Sequence, residues 1–216
     1  MKLYLDTSNI EEIRKANELG LLDGVTTNPS TLSKIASLRD YKKTWAEICA
    51  VVNGPVSAEV VSTDAAGMVK EGKEIAKIAK NIVVKIPITD EGIKAIGVLT
   101  KAGIKVNTTL IFSPIQALLA AKVGATYVSP FVGRLDDLGH DGMQVVADTV
   151  QVFRNYRIKT QVLAASLRHP MHVAQAALAG ADIATMPYAV FEKLPQHALT
   201  DKGLKMFLDD WAKRRK

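Results

Sequence analysis

Short runs of apolar and β-branched residues recur along the 216-residue chain, and stretches with helical periodicity separate them. This alternation predicts strands joined by crossover helices, and therefore a parallel sheet. We predict eight strands, at Leu3–Leu5, Gly24–Thr27, Val56–Val61, Ile82–Ile86, Val106–Ile111, Tyr127–Val132, Gln161–Ala165 and Ile183–Met186. Eight strands in a chain of this length favour an α/β fold: one domain over residues 1–216 that forms a closed (β/α)8 TIM barrel.

An open, doubly wound sheet is the alternative fold. Such sheets usually carry a glycine-rich phosphate loop, but neither a G-x-G-x-x-G motif nor a Walker motif occurs in this sequence. Gly103, Gly124 and Gly180 each follow a helical stretch and precede a strand, as expected for a repeated helix-to-strand connection. We therefore prefer the barrel.

Charge and composition exclude several classes of partner. The formal net charge is +6, but Lys and Arg are spread over most predicted helices, and the one dense group, Lys213–Lys216, is typical of a solvated helix end. No apolar run approaches the roughly 20 residues that cross a bilayer, and no secretory signal is evident. The single cysteine, Cys49, suits a reducing compartment. We expect a cytoplasmic protein with no nucleic-acid or membrane partner, whose mild positive field attracts anionic substrates.

Polar side chains occupy the carboxyl ends of nearly all predicted strands. Alternate strand residues face opposite sides of a sheet, so their parity identifies the inward face. The inward polar residues are Asp6, Thr26, Asn28, Ser57, Glu59, Lys85, Asn107, Thr109 and Ser129, with Ser166 at the end of the seventh strand. Barrel enzymes hold their active sites at this end, and a structural core has no use for so many polar groups that must be desolvated.

Lys85 lies within the apolar run Ile82–Pro87, which contains no other charge. Lysine is rarely buried without a function, although a strand-end lysine can also reach solvent or pair with a carboxylate. Burial favours the neutral amine, which can attack a ketone and form an imine. The protonated imine then stabilises the carbanion left when the adjacent carbon–carbon bond breaks. We predict that Lys85 forms such an imine.

Two inward carboxylates, Asp6 and Glu59, are available for the proton transfers of this chemistry. One must take the proton of the hydroxyl on the breaking bond, and another acid–base group must serve imine formation and hydrolysis. Thr109 could hold the water that Glu59 uses, and Asn28 and Asn107 are suited to orienting sugar hydroxyls.

A phosphate site is predicted where the sixth and seventh strands end. Arg134 follows the sixth strand, and Ser166 and Arg168 follow the seventh. A guanidinium binds phosphate through two hydrogen bonds, and a hydroxyl adds a donor. The alternative for Arg134 is an ion pair with Asp136 or Asp137. We predict no metal site, because His169 and His172, which share one helical face, are a bare pair with no placed carboxylate partner.

Five ordered motifs carry a resemblance to a known family. They are Leu5–Thr7, Gly24–Ser30, Val83–Pro87, Ser129–Arg134 and Ala164–Ser166. Together they resemble the transaldolase family, and most closely its small-subunit branch, which also contains fructose-6-phosphate aldolases. The resemblance spans essentially the whole chain.

The resemblance implies a role for each predicted site residue. Lys85 corresponds to the imine-forming lysine, Asp6 to the acid–base group for carbon–carbon cleavage, and Glu59 with Thr109 to the pair that positions the catalytic water. The remaining residues form two groups. The substrate-binding group is Asn28, Asn107 and Ser129, with which we include the inward-facing Thr26 and Phe131, and the phosphate clamp is Arg134, Ser166 and Arg168.

The family reaction transfers a dihydroxyacetone unit from sedoheptulose 7-phosphate to glyceraldehyde 3-phosphate, giving erythrose 4-phosphate and fructose 6-phosphate. It belongs to the non-oxidative pentose phosphate pathway and implies no metal or organic cofactor. Aldolase members of the branch carry glutamine and tyrosine where this chain has Glu59 and Phe131. Phenylalanine cannot donate a hydrogen bond that would assist release, so transfer is favoured over release of free dihydroxyacetone.

Three other functions are weighed against transfer. Fructose-6-phosphate aldolase activity is the first, and a pyridoxal-phosphate barrel with a strand lysine is the second. A sugar-phosphate-binding protein without turnover is the third, although a binder needs no buried amine.

A homo-oligomer is also implied by the resemblance, because small family members form pentamers or decamers in which the C-terminal helix reaches a neighbour. We expect a helix over about 200–215, with an apolar stripe at Leu204, Phe207, Leu208 and Trp211. Packing of this stripe on the chain's own barrel would explain it equally well.

Overall fold

Eight parallel strands close into a barrel in the computed structural model, which describes residues 1–35 and 41–214. The strands are β1 (Lys2–Asp6), β2 (Gly24–Thr26), β3 (Val56–Glu59), β4 (Ile82–Pro87), β5 (Val106–Ile111), β6 (Tyr127–Pro130), β7 (Gln161–Ala164) and β8 (Ile183–Met186). Each strand pairs with its neighbours in sequence, and β8 pairs with β1 to complete the circle. The predicted (β/α)8 barrel is confirmed, with strand ends that differ from the prediction by at most two residues.

Helices follow every strand and form the outer layer. They are α1 (Ile10–Glu18), α2 (Pro29–Leu32), α3 (Tyr41–Val51), α4 (Ala65–Ile75), α5 (Asp90–Lys101), α6 (Pro114–Lys122), α7 (Val132–Asp136), α8 (Gly142–Asn155), α9 (Pro170–Ala179), α10 (Tyr188–Phe191) and α11 (Ala198–Lys213). Side chains cap many of their amino ends: Asp64, Thr89 and Ser113 each accept a hydrogen bond from the amide three residues further on.

Outward and inward strand residues form two separate cores. The outward residues, such as Leu5, Val84 and Val128, pack against the helices in one continuous hydrophobic cluster. Inside the barrel, the lower part is filled by a smaller apolar cluster, which contains Tyr4, Val83, Tyr127, Leu163, Ala165 and Ile183. Asp6 and Lys85 follow Tyr4 and Val83 on the same face, so they lie above this floor, at the carboxyl ends of their strands.

The ring of Tyr4 fits inside the barrel because β2 begins with a glycine. A Cβ atom at Gly24 would lie 2.5 Å from the Tyr4 ring and 2.8 Å from the carbonyl oxygen of Pro55. Burial raises the pKa of the Tyr4 hydroxyl above its usual value. The hydroxyl therefore stays neutral, and the barrel floor carries no charge beneath the site.

The C-terminal helix α11 differs from the other long helices because none of its residues is buried. Leu204, Phe207, Leu208 and Trp211 are between 58% and 74% exposed. Packing of the stripe on the chain's own barrel, one of the two explanations above, is therefore wrong. The helix begins at Ala198, two residues earlier than predicted, and Arg215 and Lys216 of the predicted basic end lie outside the described residues.

None of the helices in residues 1–35 and 41–214 is long and apolar enough to cross a membrane.

Candidate active site

A cavity of about 500 Å³ opens at the carboxyl ends of the barrel strands. Ten of the twelve predicted site residues line it, and the other two, Asn107 and Arg168, lie beside it. In every β/α repeat, an inward-facing residue at the carboxyl end of the strand lies at this end of the barrel. The fold itself therefore brings the lining residues together.

The amine of Lys85 lies at the bottom of this cavity. Its Nζ atom is 3.0 Å from Oε2 of Glu59 and donates a hydrogen bond to the carbonyl oxygen of Thr27 at 3.2 Å. The strand register explains the first contact, because Glu59 of β3 is the direct partner of Lys85 of β4. Lys85 is only 5% exposed, so the side chain does not reach bulk solvent.

The carbonyl of Thr27 that accepts from Lys85 is itself fixed by buried hydrogen bonds. The Thr27 hydroxyl accepts from the indole of Trp45 at 2.9 Å and donates to the carbonyl of Ser57 at 2.8 Å. This chain of contacts attaches the acceptor to α3 and β3. The Lys85 amine therefore has two rigid partners and one open side toward the cavity.

Asp6 ends β1 on the other side of the cavity. Its Oδ1 atom accepts hydrogen bonds from the Thr26 hydroxyl at 3.0 Å and from the Asn28 amide at 3.2 Å. The Thr26 and Thr185 hydroxyl oxygens are 2.7 Å apart. Because Thr26 gives its proton to Asp6, Thr185 must be the donor in that contact. A directed chain thus runs from β8 through β2 to the carboxylate.

Thr109 lines the cavity together with Glu59 and Lys85. Its Oγ1 atom is buried, and within residues 1–35 and 41–214 it has no hydrogen-bond partner. A buried donor without a partner costs free energy, so such a group is suited to a substrate oxygen or a water molecule.

Leu110 also lines the cavity, although strand parity predicts that it faces outward. The register of β5 against β6 shifts between Thr108 and Ile111, and Leu110 adopts a left-handed backbone with φ of 59°. A bulge of this kind reorients a side chain near an active site. Alternation alone cannot predict it.

Asn107 lies below the cavity rather than in its lining. Its amide donates to the Ser57 hydroxyl at 3.1 Å, and its carbonyl accepts from the Ser129 hydroxyl at 2.7 Å. Asn107 is fully buried, and Ser129 lines the cavity above it. The geometry makes Asn107 a support for Ser129, whereas direct contact of Asn107 with a substrate stays a prediction.

Two of the three predicted phosphate ligands, Arg134 and Ser166, line the cavity at its rim. The Gly133 amide donates to the carbonyl of Ser166 at 3.0 Å, and a Cβ atom at Gly133 would collide with that carbonyl and with the Arg168 side chain. Arg134 and Ser166 therefore line the same end of the cavity. The Cζ atom of Arg134 lies 5.0 Å from the centroid of the Phe131 ring. At this distance the guanidinium is attracted to the face of the ring.

Arg168 points away from this end of the cavity, toward Asp137, with which it forms an ion pair at 2.7 Å. Oδ2 of Asp136 lies 3.3 Å from Nε2 of His172. Among the described residues neither carboxylate pairs with Arg134, so the alternative ion pair considered for Arg134 is not formed. Arg134 remains available to an anion, whereas Arg168 would have to exchange partners first.

Residues outside our sequence prediction also line the cavity, among them Lys34, Leu110 and Thr185. Thr185 shares inward parity with Ile183 on β8, so the signal that located the other polar residues was present there. Lys34 follows α2 in a loop, where no periodicity applies. In the part of the chain that the structure describes, no three His, Cys, Asp or Glu side chains form a metal-binding group.

Sequence comparison identifies the family that shares this arrangement. Residues 3–216 match the family model described as transaldolase/fructose-6-phosphate aldolase. The chain belongs to this family. It is 59% identical over 214 residues to a probable transaldolase of Caldicellulosiruptor saccharolyticus, covering 99% of this chain and 98% of the relative. It is also 59% identical over 211 residues to a probable transaldolase of Methanococcus maripaludis, covering 98% and 97%.

A solved structure supports the fold alone. Thiamine phosphate pyrophosphorylase from Pyrococcus furiosus is similar with a TM-score of 0.61 at 18% identity, over 90% of this chain and 93% of that one. The family membership supports an enzyme of the transaldolase and aldolase class. The roles that the resemblance implies for individual residues remain predictions.

Proposed function

We propose that the chain is a transaldolase that transfers a dihydroxyacetone unit between sugar phosphates through an imine on Lys85. Donor and acceptor are sedoheptulose 7-phosphate and glyceraldehyde 3-phosphate, as in the non-oxidative pentose phosphate pathway. The observation that carries this proposal is the contact of a buried Lys85 amine with Glu59, at the bottom of an open cavity that Asp6 also lines.

The first step is attack of the neutral Lys85 amine on the ketone of the donor. Glu59 is 3.0 Å from the amine and is the nearest carboxylate to accept its proton. The same group can return a proton to the carbinolamine hydroxyl, which leaves as water when the imine forms. The unpaired hydroxyl of Thr109 supports a role in holding that water.

Cleavage follows when Asp6 removes the proton from the hydroxyl on the far side of the breaking bond. The aldehyde product leaves, and the electron pair stays in the enamine attached to Lys85. The acceptor aldehyde is then attacked by the enamine carbon, and Asp6 returns its proton to the new hydroxyl. Hydrolysis of the imine releases fructose 6-phosphate and restores the amine.

Trapping with borohydride tests the covalent step. The purified protein is incubated with fructose 6-phosphate and borohydride and then analysed by peptide mass spectrometry. A reduced three-carbon adduct on Lys85, absent from Lys85→Met, is the expected result. An adduct on another lysine, or none at all, contradicts the mechanism.

Fructose-6-phosphate aldolase activity is distinguished by the fate of the three-carbon unit. Dihydroxyacetone released from fructose 6-phosphate is measured with and without erythrose 4-phosphate. A transaldolase forms sedoheptulose 7-phosphate when the acceptor is present and releases little dihydroxyacetone without it. Rapid release that does not depend on the acceptor would assign the chain to the aldolase reaction. Visible absorbance of the purified protein would instead indicate pyridoxal phosphate.

We further propose that the chain acts in the cytoplasm as one catalytic domain and assembles as a homo-oligomer, in which α11 packs on a second copy. The apolar side chains of α11 contribute no buried residue within one protomer, which supports an intermolecular contact. Light scattering is expected to report a pentamer or decamer, and Trp211→Glu is expected to reduce the molecular mass of the assembly. A monodisperse monomer contradicts this assembly.

A further inference from the structure

His172 connects the two loops that carry the candidate phosphate ligands. It is 9% exposed and lies in the first turn of α9. Its Nδ1 atom accepts a hydrogen bond from the backbone amide of Arg168 at 3.2 Å, and its Nε2 atom is 3.3 Å from Oδ2 of Asp136. One imidazole therefore contacts both the loop after β7 and the helix after β6.

The hydrogen-bond partners require one form of the ring. A nitrogen that accepts from an amide carries no proton, so the proton of the neutral ring lies on Nε2. Nε2–H can then donate to Asp136, and a single neutral tautomer serves both partners. A protonated His172 would carry a proton on each nitrogen and lose the acceptor for the Arg168 amide.

Both partners of His172 are rigidly connected to the phosphate end of the cavity. Asp136 belongs to the same short helix as Arg134, and its other oxygen accepts from the Gly142 amide at 3.0 Å. Arg168 follows Ser166, which adopts a left-handed backbone with φ of 60°. Such a conformation is strained for a serine and persists only where its surroundings hold it.

Other contacts also join the two segments: the exposed ion pair of Arg168 with Asp137 and, at the cavity side, two backbone hydrogen bonds. The Val132 amide donates to the carbonyl of Ala165, and the Gly133 amide donates to the carbonyl of Ser166, both at 3.0 Å. His172 adds a contact on the far side of each loop. The separation of the Arg134 and Ser166 side chains therefore depends on both sets of contacts.

Four titratable or charged groups surround this ring. The ring of His169, which caps α9, has its centroid 3.7 Å away, Asp136 approaches from α7, and Arg168 approaches from the loop, where it pairs with Asp137. Burial is the main cause that lowers the pKa of His172 below its usual 6.5, with His169 and Arg168 acting in the same direction and Asp136 opposing them. The neutral ring is thus the form present at neutral pH.

We propose that His172 is a positioning residue for phosphate binding, which in its neutral form fixes the Arg134 and Ser166 loops relative to each other. This inference rests on the proposed function, because it presumes a phosphorylated substrate at that end of the cavity. The ring itself does not line the cavity and acts through its two partners.

Two substitutions separate this role from simple packing. His172→Asn retains an acceptor in the place of Nδ1, whereas His172→Phe retains a buried ring without hydrogen bonds. We expect His172→Phe to raise KM for glyceraldehyde 3-phosphate and the inhibition constant of inorganic phosphate about tenfold. His172→Asn should change both less than about threefold. The KM for unphosphorylated glyceraldehyde should stay within twofold in both variants, and kcat should change little.

The pH profile supplies a readout that packing would not affect. Because the pKa of His172 is lowered from 6.5, its protonation should raise KM for glyceraldehyde 3-phosphate severalfold in the wild type only when the pH falls well below 6.5. The phosphate ester also titrates, with a second pKa of about 6, but this contribution is identical in His172→Asn. The ratio of the two KM values should therefore rise as pH falls.

Three results would overturn the role of His172. The first is an unchanged KM for the phosphorylated acceptor in His172→Phe, and the second is an equal rise for glyceraldehyde. The third is a pH profile shared by the wild type and His172→Asn; this comparison remains decisive if His172→Phe fails to fold. Failure of the proposed function is a different observation: the wild type would then give no borohydride adduct, while the dissociation constant of inorganic phosphate, measured by calorimetric titration of the wild type and His172→Phe, still tests His172.

Discussion

The centre of the cavity and its rim are built differently. The central groups, Lys85 and Glu59, stand on neighbouring strands, and their side chains are only 6% and 13% exposed. At the rim, Arg168 and Asp137 lie on loops or short helices, with side chains 51% and 58% exposed. The same barrel therefore offers one region with fixed, desolvated contacts and one with exposed contacts that water and salt weaken.

This contrast matches what each region has to do. Charges act on reacting atoms most strongly where water is excluded and the donors are already in place, as on barrel strands. Exposed ion pairs contribute about 0–1 kcal/mol, so rim groups can exchange one partner for another at little cost. Changes at the centre should therefore alter kcat, and changes at the rim should alter KM.

Replacement of Lys85 by methionine tests the centre and has the largest expected effect. The variant keeps the length of the side chain but cannot form an imine, so kcat should fall by about 10⁴-fold or more. Loss of the ion pair leaves the nearly buried Glu59 carboxylate without a cation, so we expect a lower Tm with the fold intact. Lys80→Met, on an exposed lysine, is the control and should retain full activity. Substantial turnover by Lys85→Met would remove the basis of the mechanism.

Replacement of arginines tests the rim. Arg134→Gln should raise KM for fructose 6-phosphate about 10–100-fold, because a hydrogen bond to a charged group contributes about 1.5–3 kcal/mol. Arg168→Gln should raise it less than about fivefold, since that guanidinium is engaged by Asp137 outside the cavity. Steady-state kinetics compare the two. Equal effects would show that Arg168 leaves Asp137 when substrate binds, as the family resemblance implies.

Thr185→Val tests how rigidly the centre holds Asp6. The change keeps the shape of the side chain but removes the hydroxyl that donates a hydrogen bond to Thr26. The Thr26 hydroxyl, which donates to Asp6, is then held less firmly. A neutral hydrogen bond contributes about 0.5–1.5 kcal/mol, so kcat should fall about 2–10-fold with little change in KM. The control is Thr108→Val, because the buried Thr108 hydroxyl has no partner in the described part of the chain. Equal kcat values for the two variants would exclude a role for the threonine chain.

The strands and the groups on them could be predicted because one rule applies to every repeat. Inward parity at a strand end found Lys85, Asp6 and Glu59, and the structure brings them to one cavity. The same rule places Thr185 inward, on the face of Ile183 in β8. Leu110 could not be found in this way, since its bulge breaks the alternation on which the rule depends.

The rim was less predictable, for a physical reason. Loop residues have no fixed periodicity. The sequence therefore predicts that Arg168 lies near the cavity, but it does not predict the direction of the guanidinium, which pairs with Asp137. The burial of His172 likewise depends on how the loops after β6 and β7 meet. Only family resemblance or the folded structure provides that information.

Phe131→Tyr tests the boundary between the two regions and has the smallest expected effect. The Phe131 ring lines the cavity, lies beneath the Arg134 guanidinium and meets Phe112 edge-on at 5.8 Å. A tyrosine hydroxyl there would add a hydrogen-bond donor near the imine and favour water over an aldehyde acceptor. Release of free dihydroxyacetone from fructose 6-phosphate should rise about 2–5-fold, which corresponds to one modest hydrogen bond.

The control for this change is Phe112→Tyr, which adds the same hydroxyl to the other ring of the pair, outside the cavity lining. It should leave the release rate unchanged. An increase in both variants would mean that the hydroxyls act by loosening the aromatic pair rather than by contacting water. No increase in either would mean that the fate of the imine is decided by the strand-borne groups alone, and that the rim contributes binding only.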